Sequence, residues 1–316
     1  MKTHTSIPFA SVTAIACLVC CSVTITIAQK NTRIYDAHGH ISLYSQNAID
    51  SLIKYNIYGV RDCGGDLAEL TKLKNEINQG KRKGPKLIIC GPFLDGPKKT
   101  QRSAMTVFIT SELQAYRVVD SLSSLRVDFL KTHNGLTRDN YFAILRQAKK
   151  RKLKVVSHLP KGVTAWEAAV NGASCIEHVA ESILASPIYA GYVKTPKEAA
   201  NWWLNSVQAD SVIKMMARRH TFVTPTLIAF KTLVELPENA SIRTELEQGL
   251  EDLMKITLKL HRGGVKILAG TDFNSLTKIH PGQSIYEEIN LLIKAGLTSR
   301  EATDAASKNL ERWLKK

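Results

Sequence analysis

Short apolar runs alternate with amphipathic stretches along the chain from Arg33 onward. The apolar runs are rich in Val, Ile and Leu, and apolar residues recur at helical spacing between them, as in 46–54, 112–122, 140–151, 164–171, 207–219 and 243–261. This alternation is typical of βαβ units with a parallel sheet. The pattern predicts a final helical layer at 286–314, broken near Gly296, and eight strands, at 33–37, 57–62, 86–91, 128–131, 154–158, 174–178, 222–226 and 266–272.

Eight β/α units over roughly 285 residues match the size of a closed (β/α)8 barrel. The alternative, an open doubly wound sheet, would need a Gly-rich phosphate loop after its first strand. Here that turn reads Asp-Ala-His-Gly-His (36–40), and no GxGxxG or Walker-type fingerprint occurs elsewhere. We therefore predict an α/β fold with one TIM (β/α)8 barrel domain over residues 29–316.

The first residues have the pattern of an export signal. Lys2 is followed by a mostly apolar run from Ile7 to Ile27, and small residues precede Gln29. This pattern predicts a signal peptide over residues 1–28 and an exported protein, periplasmic or secreted, without stable membrane insertion after signal removal. Two alternatives are an uncleaved anchor, because about 20 apolar residues can span a bilayer, and a lipid attached at Cys20 or Cys21.

Composition changes this picture little. A hydrophobic share of 44% and a charged share of 22% are those of a soluble globular protein. The formal charge of +15 raises the question of nucleic acid, but the basic runs 81–83 and 149–152 are separate and lack interleaved aromatic residues. We read them as solvated faces and expect no nucleic-acid partner. Outside the predicted signal, Cys63, Cys90 and Cys175 are odd in number and lie in apolar runs, which predicts buried free thiols.

The candidate chemistry lies at the ends of predicted strands. His38 and His40 are two residues apart, so their side chains point to one face of the first strand. His158, His178 and Asp272 end the fifth, sixth and eighth strands, and barrel enzymes carry their catalytic groups at that edge. Taken singly, each is more often a satisfied polar residue. Imidazole and carboxylate together suit a divalent transition metal such as Zn²⁺.

Lys131 ends the fourth strand, where a buried ammonium is costly unless it is paired or deprotonated. A neutral amine beside a metal can take up CO2 and become a carbamate that bridges two cations. A buried ion pair is the alternative, and residue type alone does not decide between them.

The chain resembles the amidohydrolase superfamily, in its imidazolonepropionase-like and Xaa-Pro-dipeptidase-like branch, over essentially all of residues 29–316. The motifs that carry the resemblance are Asp-Ala-His-Gly-His (36–40), Gly-Val-Arg-Asp-Cys-Gly-Gly (59–65), Asp-Phe-Leu-Lys (128–131), Ser-His-Leu-Pro (157–160), Ile-Glu-His (176–178) and Ala-Gly-Thr-Asp (269–272).

This resemblance implies a ligand set. His38, His40 and Asp272 would hold a first metal, His158 and His178 a second, and carboxylated Lys131 would bridge them, with Asp272 also acting as general base. The chain departs from many members because we expect the barrel without the flanking β-sandwich. The family's substrate class therefore transfers poorly.

These inferences predict a metal-dependent hydrolase that uses one or two divalent ions, Zn²⁺ first among them, to cleave a C–N bond of a small molecule. An amide, a peptide-like bond or a cyclic amide would fit. A lactonase or phosphotriesterase on the same site is an alternative. So is an exported binding protein without turnover, although all six ligand-type positions hold competent residues.

Other residues receive structural or open assignments. We expect Arg61 and Asp62 to make a structural ion pair, and His133 either faces the site or lies in a loop. The long connections 92–110 and 179–205 are candidate substrate lids. The second connection carries four aromatic residues, Tyr189, Tyr192, Trp202 and Trp203.

Overall fold

The computed structural model describes residues 32–44, 47–97, 105–275 and 277–315. The predicted signal peptide, residues 1–28, lies outside these ranges, as does part of the first candidate lid, 98–104. Arg33–Lys316 forms one compact unit.

Strands and helices alternate through this unit, as the hydrophobic pattern predicts. The described strands are β1 Ile34–Gly39, β2 Ile57–Asp62, β3 Lys86–Ile89, β4 Phe93–Asp95, β5 Thr106–Phe108, β6 Leu130–Thr132, β7 Val155–Ser157, β8 Cys175–Glu177 and β9 Phe222–Thr224. The described helices are α1 Asn47–Lys54, α2 Leu67–Asn78, α3 Glu112–Ser124, α4 Arg138–Arg151, α5 Ala165–Val170, α6 Ser186–Tyr189, α7 Pro196–Asn205, α8 Val207–Arg218, α9 Leu227–Glu235, α10 Arg243–Arg262, α11 Gln283–Ala295, α12 Ser299–Ala305 and α13 Lys308–Lys315. Gly296, with φ of 112°, ends α11 at the predicted break.

Every described strand pair is parallel. One sheet has the order β1-β2-β3, and the other has the order β5-β4-β6-β7-β8-β9. Seven of the eight predicted strands are present, and β4 and β5 are additional strands within the first candidate lid. Between the two sheets, the backbone N–H of Asp128 donates to the carbonyl of Ile89 at 2.8 Å.

The predicted eighth strand, 266–272, forms two single parallel bridges instead, Val223↔Ile267 and Gly39↔Phe273. Its backbone still hydrogen-bonds to both neighbours. The N–H of Leu268 donates to Val223 at 2.8 Å, and the N–H of Asp272 donates to His38 at 2.7 Å. A side chain also contacts this segment. The N–H of Thr271 donates both to the carbonyl of His38 at 3.2 Å and to the buried carboxylate of Asp36 at 3.0 Å, and the Thr271 hydroxyl donates to the same carboxylate at 2.6 Å.

Two apolar clusters divide the core. The larger cluster joins the strands to the helices. The smaller takes residues from one face of the successive strands and ends at α13: Tyr35, Ala37, Cys63, Ile88, Cys90, Phe129, Val156, Cys175, Phe222, Leu268, Leu310 and Trp313. Parallel strands with a filled interior and helices outside are consistent with a TIM-like barrel.

The helix α13 lies at the N-terminal ends of the strands. The ammonium of Lys154, which directly precedes β7, lies 5.1 Å from the centre of the Trp313 ring and donates to the carbonyl of Leu314. The opposite ends of the strands are therefore left to polar side chains. Cys63, Cys90 and Cys175 are buried free thiols, as predicted. Among the helices described, none combines the length and the apolar character needed to cross a membrane.

Candidate metal centre

All six predicted ligand-type residues line one cavity of about 230 Å³ at the C-terminal ends of the strands. They are contributed by β1 and β6, the residues that directly follow β1, β7 and β8, and the 266–272 segment: His38, His40, Lys131, His158, His178 and Asp272. The structure therefore brings together residues that are separated by up to 234 positions in the chain.

The tightest group comprises His38, His40 and Asp272. Oδ1 of Asp272 lies 3.4 Å from Nε2 of His38 and 3.1 Å from Nε2 of His40. One ligand atom from each of the three residues lies within 4.8 Å of the other two, which is close enough for a single cation to contact all three.

The remaining residues extend this group across the cavity. Nζ of Lys131, which is buried, lies 3.3 Å from Nε2 of His38. The ring of His178 lies 4.7 Å from the ring of His38 and 4.7 Å from that of His158, measured between centroids. Nε2 of His158 is buried and has no hydrogen-bond partner within the described part of the chain. A buried nitrogen of this kind is costly unless it has a ligand.

Three of the histidines are oriented by a hydrogen bond at the opposite ring nitrogen. Nδ1 of His38 lies 2.6 Å from Oε2 of Glu177, and Nδ1 of His40 lies 3.0 Å from the carbonyl of Gly64. Nδ1 of His178 lies 3.0 Å from the hydroxyl of Thr226, which donates to the carbonyl of Pro225 and so accepts from the imidazole. These partners place the proton on Nδ1, so Nε2 carries the lone pair that a metal requires.

Electrostatics keep three of the four imidazoles neutral. Burial, together with the nearby Lys131, lowers the pKa of His38 to about 4. Burial also brings the pKa values of His158 and His178 well below the usual range. Burial alone would raise the pKa of Asp272, but the neighbouring His38 and His40 reverse the effect and lower it. His38, His158 and His178 are therefore neutral beside an ionised carboxylate, which is the protonation state that binds cations. His40 differs: burial lowers its pKa, but the hydrogen bond to Asp272 and the nearby carboxylate charges together outweigh burial and raise it.

A buried ion pair contacts the site through Glu177, the hydrogen-bond partner of His38. Nη2 of Arg61 lies 2.7 Å from Oε1 of Glu177, and both side chains are fully buried. Arg61 thus pairs with Glu177 and not with Asp62, so the predicted Arg61–Asp62 ion pair is wrong. Asp62 instead accepts hydrogen bonds from the backbone N–H groups of Ile41 and Gly64. It therefore shapes the turn whose Gly64 carbonyl holds His40.

Three residues of the site have left-handed backbone conformations. The φ angles are 63° at His178, 52° at Thr226 and 62° at Asp272. Non-glycine residues adopt this region at a cost and persist there when the surrounding structure holds them, which occurs often at functional sites. All three positions directly follow a strand or strand-like segment and turn a side chain toward the cavity.

Other residues complete the cavity wall. His133 faces the cavity; Nδ1 of His133 lies 3.2 Å from Oδ2 of Asp95, and its ring lies 4.8 Å from that of His158. Glu181, which the sequence analysis did not single out, also lines the cavity, as does Phe93 of the first candidate lid. Glu177 lies in the Ile-Glu-His motif (176–178), but the sequence analysis assigned it no role. The signal that could have identified it is a charged residue inside an otherwise apolar strand.

Two residues of the second candidate lid, Ala180 and Glu181, line this cavity, but its aromatic residues do not. Tyr189, Tyr192 and Trp202 line a separate cavity of about 550 Å³ beside α5 and α8. Trp203 is buried, and its indole N–H donates to the carbonyl of Ile183 at 2.7 Å. Because helices α6 and α7 turn these rings away from the strand ends, they are not part of the metal-centre cavity.

The donor set itself fits a divalent transition metal. It contains four imidazoles and a carboxylate, nearly all buried, with at least three Nε2 atoms directed by hydrogen bonds at the far side of the ring. Imidazole and carboxylate are the ligands expected of Zn²⁺ and its neighbours in the first transition row.

Several solved structures share this fold. A bottromycin amidohydrolase superposes with a TM-score of 0.69 at 20% identity, covering 90% of this chain and 67% of that one. A Xaa-Pro dipeptidase with bound methionine gives a TM-score of 0.66 at 17% identity, with coverage of 90% and 75%. The A. niger ochratoxinase gives a TM-score of 0.66 at 16% identity, with coverage of 90% and 71%.

No protein-family model and no curated protein matches the sequence. The likeness therefore lies in the fold, since these identities are low. The sequence motifs of this chain nevertheless resemble those of amidohydrolases and Xaa-Pro dipeptidases. The chain shares the fold of amidohydrolases and Xaa-Pro dipeptidases, as its motifs predicted.

Proposed function

We propose that this protein is a metal-dependent hydrolase that cleaves a C–N bond, amide, peptide-like or cyclic amide, in a small-molecule substrate. The observation that carries the proposal is the convergence of six ligand-type side chains on one cavity at the strand ends. The proteins with the same fold, amidohydrolases and a Xaa-Pro dipeptidase by their titles, add support.

We further propose that the strands close into a (β/α)8 barrel. The segment 266–273 donates or accepts backbone hydrogen bonds with both β9 and β1, as closure requires. The backbone hydrogen bond between Asp128 and Ile89 joins the two sheets on the other side. Closure would also explain why the smaller apolar cluster takes residues from so many strands.

The residues present divide into two metal positions in this proposal. His38, His40 and Asp272 would hold one divalent ion, Zn²⁺ by ligand type, and His158 and His178 would hold a second. Lys131, as a carbamate, would lie between them. The buried Nε2 of His158 supports the second position, because a cation would satisfy it.

Such an ion lowers the pKa of a water molecule and polarises the substrate carbonyl. We assign the proton transfer to Asp272, whose carboxylate takes a proton from the attacking water and returns it to the leaving amine. Glu177 holds His38 in the required tautomer. His133, fixed by Asp95, is placed to contact the substrate. Phe93, with the other apolar side chains of the wall, limits the access of bulk water.

Metal analysis beside a substrate panel tests the proposal. We expect one to two divalent transition-metal ions per chain and hydrolysis of amides in preference to lactones and phosphotriesters at one metal load. Replacement of both His38 and His40 by Ala should remove metal and activity together, whereas the control His261→Ala, whose imidazole pairs with Glu301 outside the cavity, should keep both. Absence of metal after growth in supplemented medium would contradict the proposal. Turnover of esters alone would assign the site to the esterase alternative, and bound substrate without turnover to a binding protein.

A further inference from the structure

Among the described residues that line the metal-centre cavity, one charged side chain does not belong to the six ligand-type residues or to the histidines. This residue, Glu181, lies on the π-helical segment Val179–Leu184, which directly follows His178. Its side chain is solvent-accessible as well as cavity-lining, so it lies where the cavity meets solvent. The other charged lining residues described, Lys131 and Asp272, are at the metal centre itself.

No cation within the described ranges neutralises Glu181. Burial raises its pKa, its own backbone N–H partly offsets this, and the charge that acts on it is that of Asp272, which is also negative. Its partner therefore has to come from outside the described protein, as solvent, an ion or a ligand. An anionic group bound in the same place would be repelled by Glu181 at short range.

Apart from the charged residues, the histidines, Cys63, Thr226 and Asn274, the described wall is apolar. This apolar part consists of small and medium-sized aliphatic side chains and two phenyl rings, Leu43, Phe93, Ala180, Pro225, Ala229, Phe230 and Leu253. A cavity of about 230 Å³ is below the usual range for drug-sized ligands, so it suits a small molecule. The apolar wall therefore suits a compact apolar group of a ligand, and the carboxylate of Glu181 suits a positively charged group on the same ligand.

We infer that the substrate is a small apolar amide bearing a protonated primary amine, which pairs with Glu181 while the scissile carbonyl lies at the metal ligands. This inference rests on the proposed function and specifies its substrate class. The amine can be an α-amino group, as in an aminoacyl amide, or a side-chain amine, and both present the same charge to the carboxylate.

Three p-nitroanilides separate these cases: leucine p-nitroanilide with a free α-amine, Nα-acetyl-lysine p-nitroanilide with a side-chain amine, and the neutral Nα-acetyl-leucine p-nitroanilide. We expect at least one amine-bearing substrate to exceed the neutral one in kcat/KM. In Glu181→Gln this ratio should fall about tenfold, mainly through KM, because a charge-assisted hydrogen bond is lost. Glu247→Gln, an exposed residue of α10 outside the cavity, should keep the parent ratio. An unchanged ratio in Glu181→Gln overturns the inference while the hydrolase remains.

A binding measurement decides the inference independently of turnover. Calorimetry compares 3-methylbutylamine with the uncharged 3-methylbutanol on the metal-loaded protein and on Glu181→Gln. Tighter binding of the amine by about tenfold, lost in the variant, supports the role of Glu181 even if no anilide is hydrolysed, in which case the proposed function alone fails. Equal binding of the two compounds, or an equal preference in the variant, overturns the inference.

Discussion

Replacement of Glu177 by Gln is the most informative single change below the metal centre. The carboxylate of Glu177 accepts from Arg61 at 2.7 Å and from Nδ1 of His38 at 2.6 Å, with no exposed surface on any of the three side chains. A carboxylate presents two acceptors, whereas an amide presents one acceptor and one donor. In Glu177→Gln either Arg61 or His38 therefore faces an N–H group, and Arg61 keeps a buried charge without a counter-charge.

The burial sets the size of the expected effect. Removing one partner of a buried ion pair costs about 3–5 kcal/mol, which for a domain of this size lowers Tm by roughly 5–15 °C. The pair Lys231–Glu235 has the same 2.7 Å separation, but its side chains are 33% and 60% exposed. Glu235→Gln should therefore cost no more than about 0.5 kcal/mol.

Thermal unfolding of both variants in the presence of a chelator measures this difference without a contribution from bound metal. A competitive chelator titration then measures the second consequence, because loss of an outer-shell partner to a ligand imidazole typically weakens metal binding about 10- to 100-fold. The reasoning is refuted if the Tm of Glu177→Gln lies within 2 °C of that of the parent protein. It is also refuted if Glu177→Gln binds metal as tightly as the parent protein and the control Glu235→Gln do.

Four further outcomes are expected. Asp272→Asn should keep most of its metal but lose about 10²–10⁴ in kcat on amides, and a near-parental rate would remove its proton-transfer role. Lys131→Ala should lose activity and regain part of it with added short carboxylates, and full metal content and rate in this variant would exclude the carbamate bridge. Thr226→Val should weaken metal binding about 10- to 100-fold by removing the acceptor of His178 Nδ1; Thr232→Val, on the outer part of α9, serves as its control. Intact mass of the protein from the extracytoplasmic fraction should correspond to a chain beginning near Gln29, and retention of Met1 would favour an anchor.

Most of the fold could be predicted from the sequence, because the apolar runs and turn residues that predict it lie within short segments of the chain. Apolar runs bounded by polar residues located seven strands within a few residues, and Gly296 marked the end of α11. The irregular pairing of the predicted eighth strand, 266–272, was not predicted, and Thr271 in this segment hydrogen-bonds to Asp36, 235 positions away. A local pattern of apolar residues carries no information on which distant side chains will hydrogen-bond to the backbone of a strand.

The candidate site, too, could be predicted only in part from the sequence. Ligand-type residues at strand ends were visible, because a polar side chain that ends an apolar run has few alternative positions. The partners that orient them were not. Glu177 meets Arg61 and His38 across 116 and 139 positions. The aromatic residues of the second candidate lid were misplaced because the orientation of α6 and α7, which their composition does not reveal, decides which cavity they line.

If the protein binds a metal as proposed, these contacts link metal binding to folding stability. The C-terminal ends of the strands gather four buried imidazoles, a buried lysine and a carboxylate into one cavity, while the opposite ends are filled by apolar side chains and closed by Trp313. Burying polar groups without partners opposes folding, so the apolar half has to stabilise the polar half until a ligand binds. The positive φ angles at His178 and Asp272 add to that cost. A cation that satisfies the Nε2 atoms offsets it only in the folded state, and the same interactions that select the metal would then stabilise the fold.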